Sequence, residues 1–101
     1  MSTIAELTGR EQALFSLGQC VCTPGAIVAL TFNGFTPFDF LARHIIGDDG
    51  DLDEHDKQAN REAIEHGGRI LSSYILAGGE KLYVITEHDR TVTTVLLSDE
   101  Y

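Results

Sequence analysis

The pair Gly67-Gly68 divides the sequence into two parts with different hydrophobic patterns, and this division limits the folds open to the chain. After the pair come three stretches rich in β-branched and aromatic residues, at 69–76, 81–87 and 90–97. The loop 77–80, with the sequence Ala-Gly-Gly-Glu, joins the first two stretches in the manner of a β-hairpin. The second part of the chain is therefore predicted to form a three-stranded antiparallel meander.

Before the glycine pair, two Thr-Pro steps mark the starts of helices. Thr23-Pro24 and Thr36-Pro37 each place a capping hydroxyl before a proline, which suits the first helical position because an N–H there has no helical partner. Gly34 and Gly47 are suited to end these helices, since glycine readily adopts the left-handed conformation of a C-terminal cap. The sequence predicts a helix between each Thr-Pro step and the glycine that follows it.

A third helix is predicted over about 52–66, with Asp51 as its N-terminal cap. Its residues are mostly polar, so we expect it to lie on the surface. The second helix repeats apolar residues at helical spacing and is predicted to bury that face, which consists of Phe38, Leu41, Ala42 and Ile45.

Residues 15–22 are predicted to form a first strand, and residues 1–14, which show no firm periodicity, a flexible arm. The predicted fold class is α+β: an N-terminal strand, three helices and then the three-stranded antiparallel meander, with the helices packed on one face of the sheet. A chain of 101 residues is sufficient for one core, so residues 15–101 are predicted to form a single domain.

The formal charge of −9 restricts the partners that the protein can bind. Only seven residues are Lys or Arg, which disfavours direct binding to nucleic acid and favours a protein partner with a basic surface. The sequence lacks a signal peptide pattern and an apolar run of about 20 residues, so we expect no membrane span and a cytoplasmic location. No phosphate loop or nucleophile elbow is present, and no cofactor is predicted. The oligomeric state stays open.

The stretch from Arg43 to Asp56 is the strongest candidate for a site, because it concentrates six of the sixteen acidic residues beside two histidines. Asp49, Asp51 and Asp53 follow the first three ligand positions of an EF-hand loop, but Glu54 occupies the position that needs glycine, so no metal site is predicted. A metal-binding module is kept as an alternative function. The residues predicted to bind a partner are His44, Asp48, Asp49, Asp51, Asp53, Glu54 and Asp56.

An enzyme is the other alternative. Small ribonucleases that need no metal combine a base, an acid and a phosphate-binding arginine, and the chain offers Glu87 or His44 as base, His88 as acid and Arg90 for phosphate. The charge of −9 and the lack of aromatic residues among the basic ones weigh against this alternative.

Three segments taken together carry a resemblance to a known family: Gly18–Ala26, the stretch from Arg43 to Asp53, and Arg69–Tyr74 with the C-terminal residues that follow. The chain resembles, over residues 15–101, a family of short proteins carried on bacterial plasmids and integrated elements, some of them described as restriction-modification components. Asp49 stands where this family pattern has a tryptophan. The resemblance implies a protein of bacterial mobile elements, and it implies no specific activity.

These observations predict a non-catalytic acidic interaction protein of bacterial mobile elements. One form of this prediction is an inhibitor of host defence, of the anti-restriction or anti-CRISPR type, which presents its carboxylates to a basic nucleic-acid channel.

Overall fold

The computed structural model describes residues 12–101, and it confirms an α+β fold with three helices. The predicted arm, 1–14, lies outside the described residues except for its last three positions, where the Leu14 N–H donates to the Ile45 carbonyl. The elements in chain order are β1 (Gln19–Cys22), α1 (Pro24–Phe32), α2 (Pro37–Ile45), α3 (Glu54–His66), β2 (Ile70–Ile75), β3 (Lys81–Thr86), β4 (Val92–Leu97) and a short 3-10 turn (Ser98–Glu100).

The four strands form one mixed sheet in the order β1-β4-β3-β2. Strands β2, β3 and β4 are antiparallel neighbours in sequence, whereas β1 pairs with β4 in parallel. The prediction of a three-stranded antiparallel sheet is corrected on this point. The meander leaves the outer edge of β4 free, and β1 occupies it, with Cys20 opposite Thr93. The position and direction of β1 depend on pairing between strands that are far apart in sequence, so local sequence patterns could not predict them.

The first two helices begin where the Thr-Pro steps predict. Thr23 Oγ1 accepts a hydrogen bond from the Ala26 N–H (3.1 Å), and Asp39 Oδ2 accepts one from the Thr36 N–H (2.8 Å). The third helix begins at Glu54, later than predicted, because Asp53 is its cap and accepts from the Asp56 N–H (2.9 Å). Asp51 is not the cap, as its carboxylate is bonded to β2.

The helices cover one face of the sheet: α1 packs on β4, α2 on β3 and α3 on β2. The buried face of α2 is rotated from the predicted one, because Phe40 and His44 point inward and Phe38 is largely exposed. Phe40 lies against Tyr74, with ring centroids 4.9 Å apart, and this contact favours the rotation. The core between the helices and the sheet includes Leu30, Phe40, Leu41, Tyr74, Leu82, Val84 and Val95.

Candidate functional site

The turn Asp48–Asp51, hereafter the acidic turn, lies along the outer edge of β2. The Ser73 N–H donates to the Asp49 carbonyl (3.1 Å), and the Asp51 N–H donates to the Ser73 carbonyl (2.7 Å). The Ile75 N–H donates to the Asp51 carboxylate (2.9 Å). An exposed strand edge presents unpaired backbone groups to other chains, so the acidic turn protects β2 from such pairing.

Two further contacts hold the acidic turn in place. The Tyr74 hydroxyl donates to the Asp48 carbonyl (2.5 Å), and Arg43 Nε donates to the Asp48 carboxylate (2.7 Å). The hydrogen bond from Arg43 holds the pKa of Asp48 below its usual value and raises the pKa of Arg43 itself. The Arg43 guanidinium also lies over the Tyr74 ring, 4.5 Å from its centroid. Asp48 therefore has an internal structural role.

Asn60 completes the protection of this edge from α3. Its Oδ1 accepts from the Leu71 N–H (3.0 Å), while its Nδ2 donates to the Leu71 carbonyl (2.5 Å) and to Asp49 Oδ2 (3.2 Å). The side-chain amide thus replaces the backbone of a neighbouring strand. The sequence did not lead to a prediction for Asn60. An amide in the middle of a charged helix can indicate a buried polar contact, and here it does.

Helix α3 and the acidic turn form a negative surface, which we call the acidic surface. Residues 48–66 hold eight Asp and Glu side chains against two basic ones, Lys57 and Arg61. Glu54 Oε2 lies 3.6 Å from Arg61 Nη2, and Asp56 Oδ1 lies 3.7 Å from His55 Nδ1. These four side chains are exposed, so the charge faces solvent.

The carboxylates of the EF-hand-like pattern take separate protein partners. Asp49 binds Asn60, Asp51 binds the Ile75 N–H and Asp53 caps α3. Among the described residues, Asp53, His55 and Asp56 place one ligand atom each within 4.8 Å of one another, all of them exposed. An exposed acidic group of this kind is common at the start of a helix, where it complements the helix dipole.

His44 is buried, with 1% of its surface exposed, and it lies in a chain of hydrogen bonds. Its Nδ1 is 2.6 Å from Ser72 Oγ, and its Nε2 is 2.9 Å from Thr86 Oγ1. Thr86 Oγ1 lies 2.7 Å from Thr93 Oγ1, and the Thr93 hydroxyl donates to the Leu17 carbonyl (2.7 Å). We call this chain the His44 network. It connects α2 to strands β2, β3 and β4.

The Leu17 carbonyl sets the direction of the hydrogen bonds from Thr93 back to His44 Nε2, because a carbonyl only accepts. Thr93 donates to it, so Thr86 donates to Thr93, and the His44 Nε2–H donates to Thr86. Because burial disfavours the charged ring, His44 Nδ1 carries no proton and accepts from the Ser72 hydroxyl. The ring is the neutral Nε2–H tautomer, with both nitrogens satisfied.

Burial lowers the pKa of His44 from 6.5 to about 4. The partners of its two ring nitrogens are the neutral hydroxyls of Ser72 and Thr86, neither of which can offset the charge of an imidazolium. A ring held neutral in this way activates the Ser72 hydroxyl poorly, because activation requires the ring to take up a proton. The arrangement is that of a structural histidine.

A cavity of about 240 Å³ opens beside the His44 network, below the range of about 300–1,000 Å³ that is usual for ligand pockets. It brings His44 together with Asp49 and with three residues that were not predicted, Ser72, Asn60 and Arg61. Glu87, His88 and Arg90 do not line it. The residues proposed for the ribonuclease alternative are therefore divided between two places.

Arg90 has contacts of its own. Its guanidinium donates to the carbonyls of Gly68 (2.6 Å) and Ala63 (2.9 Å), and also to those of Glu87 and His88. These bonds connect the C-terminal end of α3 to the β3–β4 turn. They use most of the Arg90 donors that a phosphate would need. His88 lies exposed at the surface.

One segment of the chain has no charged side chain of its own, although the Glu100 carboxylate lies against it, 2.7 Å from Thr23 Oγ1. Residues 12–38 contain no Asp, Glu, Lys, Arg or His. Helix α1 turns apolar side chains outward, with Val28 69% and Phe32 81% exposed. Exposed apolar patches of this kind mark contact surfaces. We call β1 and the exposed side of α1 the neutral surface; its large apolar members are Val21, Ile27, Val28 and Phe32.

No protein-family model, curated protein or solved structure matches the chain. Among residues 12–101, no single helix has the length and apolarity to cross a membrane; α1 and α2, bent by 99°, reach those limits only when counted together.

Proposed function

We propose that the protein is a non-catalytic interaction protein that binds a basic surface of a protein partner through its acidic surface. The observation that carries this proposal is the composition of α3. This helix has 13 residues and buries only Asn60, so it contributes little to the core and mainly presents charged side chains. Carboxylates arranged along an exposed helix attract a surface rich in Lys and Arg and orient it as it approaches.

The partner that we propose is the nucleic-acid channel of a bacterial host-defence nuclease. Such a channel is lined with Lys and Arg because it neutralises phosphates. A protein with a charge of −9 competes with nucleic acid for it. The resemblance to proteins of bacterial plasmids supports this class of partner. The action that we propose is of the anti-restriction or anti-CRISPR type and takes place in the cytoplasm.

The test is inhibition of DNA cleavage by purified restriction and CRISPR nucleases, with binding measured over a series of salt concentrations. The triple variant Glu54→Gln, Glu62→Gln, Glu65→Gln removes three charges and keeps the Asp53 cap. At about 0.5 kcal/mol for each exposed charge, affinity at low salt falls about tenfold. The matched control, Asp99→Asn, neutralises an exposed carboxylate outside the acidic surface and leaves affinity within about twofold.

Binding that does not weaken with salt would contradict the electrostatic proposal. So would equal affinities for the triple variant and the wild-type protein.

A further inference from the structure

Strand β1 forms the second edge of the sheet, and its outward side is open among residues 12–101. The Gln19 and Thr23 N–H groups donate to the Thr91 and Val95 carbonyls, towards β4. Backbone groups alternate in direction along a strand, so those of Cys20 and Cys22 point away from β4. No strand of the described chain pairs with that side.

This open edge lacks the features that usually prevent strand pairing. Its sequence is Gln-Cys-Val-Cys, without Pro, Lys or any charged residue. Val21 is 40% exposed at the centre of the strand. At the other end of the sheet, the acidic turn and Asn60 cover β2. The edge is therefore suited to accept a further strand.

We infer that this edge pairs with the same strand of a second copy of the chain, antiparallel, around a two-fold axis at Val21. In that register Cys20 of each copy lies opposite Cys22 of the other, and each such pair exchanges two N–H···O=C bonds. The two Val21 residues face each other at the axis. All the outward backbone groups of Cys20 and Cys22 are then satisfied.

Neighbouring registers satisfy fewer groups. An axis at Cys20 would pair Cys22 with Gly18, whose φ of +65° departs from an extended strand. An axis at Cys22 would pair Cys20 with Pro24, which has no N–H to donate. Pairing centred on Val21 therefore satisfies more backbone groups than either neighbouring register.

Charge favours a second copy as the occupant of this edge. Two chains of charge −9 repel each other where their charged surfaces meet, but residues 12–38 contain no charged side chain, so the neutral surfaces can approach. The one carboxylate bonded to this segment, that of Glu100, accepts hydrogen bonds from the Thr23 hydroxyl and the Leu97 N–H. A basic partner would gain no electrostatic attraction from the uncharged residues of this surface.

The two-fold axis stands perpendicular to the sheet, so both copies place α1 on the same side. The apolar side chains of the two α1 helices then flank the axis.

The experiment is a charge exchange at Val21, measured by sedimentation. Glu or Lys at this position places two like charges directly opposite each other across the axis, which disfavours pairing. The wild-type protein is expected to sediment as a dimer, and Val21→Glu and Val21→Lys each as a monomer. An equimolar mixture of the two variants is expected to restore the dimer, because opposite charges then face each other. Ile75→Glu and Ile75→Lys are matched controls, since Ile75 is also exposed on a strand but lies at the covered edge; both stay dimeric.

Cross-linking with a short bismaleimide gives a second measurement of pairing, and it requires no charged substitution in β1. It is expected to link Cys20 of one copy to Cys22 of the other, and Cys20→Ser abolishes the product. Circular dichroism of each Val21 variant confirms that it is folded. A wild-type protein that stays monomeric overturns the proposal. So does a dimer that survives Val21→Glu, or a mixture of folded variants that does not associate.

Discussion

The two edges of the sheet are finished in different ways. At β2, the backbone groups of Leu71, Ser73 and Ile75 are bonded to Asn60 and the acidic turn. At β1, the outward groups of Cys20 and Cys22 have no strand partner among the described residues. The covered edge is bonded to the most acidic segment of the chain, whereas the open edge lies in the segment without charged residues. One edge is thus completed by backbone groups of the acidic turn, the Asp51 carboxylate and the Asn60 amide, while the other has no strand partner among residues 12–101.

The largest expected effect comes from adding a methyl group to the acidic turn. Gly50 has φ +75°, and a Cβ there would overlap the Ser73 carbonyl oxygen and the Tyr74 ring. We expect Gly50→Ala to lower the free energy of unfolding by about 4 kcal/mol, through backbone strain and loss of the bonds to β2. Urea denaturation measures it. Gly67→Ala is the control, since Gly67 has φ +83° with no atom within 4 Å of an added Cβ, and it should cost about 1 kcal/mol. Equal losses would show that the turn does not stabilise the edge.

The next effect is a loss of stability in acid, because the His44 ring, which lies against β2, is buried. The pKa of His44 falls from 6.5 in the unfolded chain to about 4 in the fold, so the unfolded state binds the extra proton between these values. Stability is highest above pH 6.5, and falls by about 3 kcal/mol as the pH drops to about 4. Denaturant titrations at several pH values measure this dependence. In His44→Gln the dependence over this window should disappear, and a persistent slope would assign it to other groups.

A smaller loss is expected when Asn60 no longer covers β2. Asn60→Ala leaves the Leu71 N–H and carbonyl without their side-chain partners, which costs about 2 kcal/mol. Hydrogen exchange of the Leu71 amide should accelerate with it. Gln58→Ala, an exposed position of the same helix, should change stability by less than about 0.5 kcal/mol. An unchanged exchange rate at Leu71 would mean that the amide is protected from elsewhere.

The smallest effect is expected at the open edge. Cys20 is exposed, and within residues 12–101 its thiol forms one long hydrogen bond, to the Gly18 carbonyl (4.0 Å). Cys20→Ser should change the stability of the monomer, measured at low protein concentration, by less than about 0.5 kcal/mol. A loss similar to that of Asn60→Ala would contradict the difference between the two edges.

Local signals predicted much of the fold. The Thr-Pro steps, the ending glycines and the alternation after Gly68 act over a few residues, and the structure agrees with them. The prediction of Asp51 as the cap of α3 was wrong, because Asp51 and Asp53 are the same residue type two positions apart and either could serve. The choice between them depends on the Ile75 N–H, which binds Asp51 and lies far away in sequence.

The candidate site was less predictable, because the contacts of its residues depend on how the strands pair. The sequence predicts the acidic stretch to bind a partner, but Asp48, Asp49, Asp51 and Asp53 each have an internal partner. The His44 network requires Ser72, Thr86 and Thr93 to face the same side of adjacent strands. That arrangement follows only from the register, which no local pattern reveals.

The separation of charge between residues 12–38 and residues 48–66 gives each chain an electric dipole moment. In the field of a basic partner, such a molecule rotates before contact, so the acidic surface leads and the uncharged end trails. In the two-fold pair that we infer, the components of the two moments in the plane of the sheet cancel. The assembly then has its negative charge at both ends, so either end can lead an encounter.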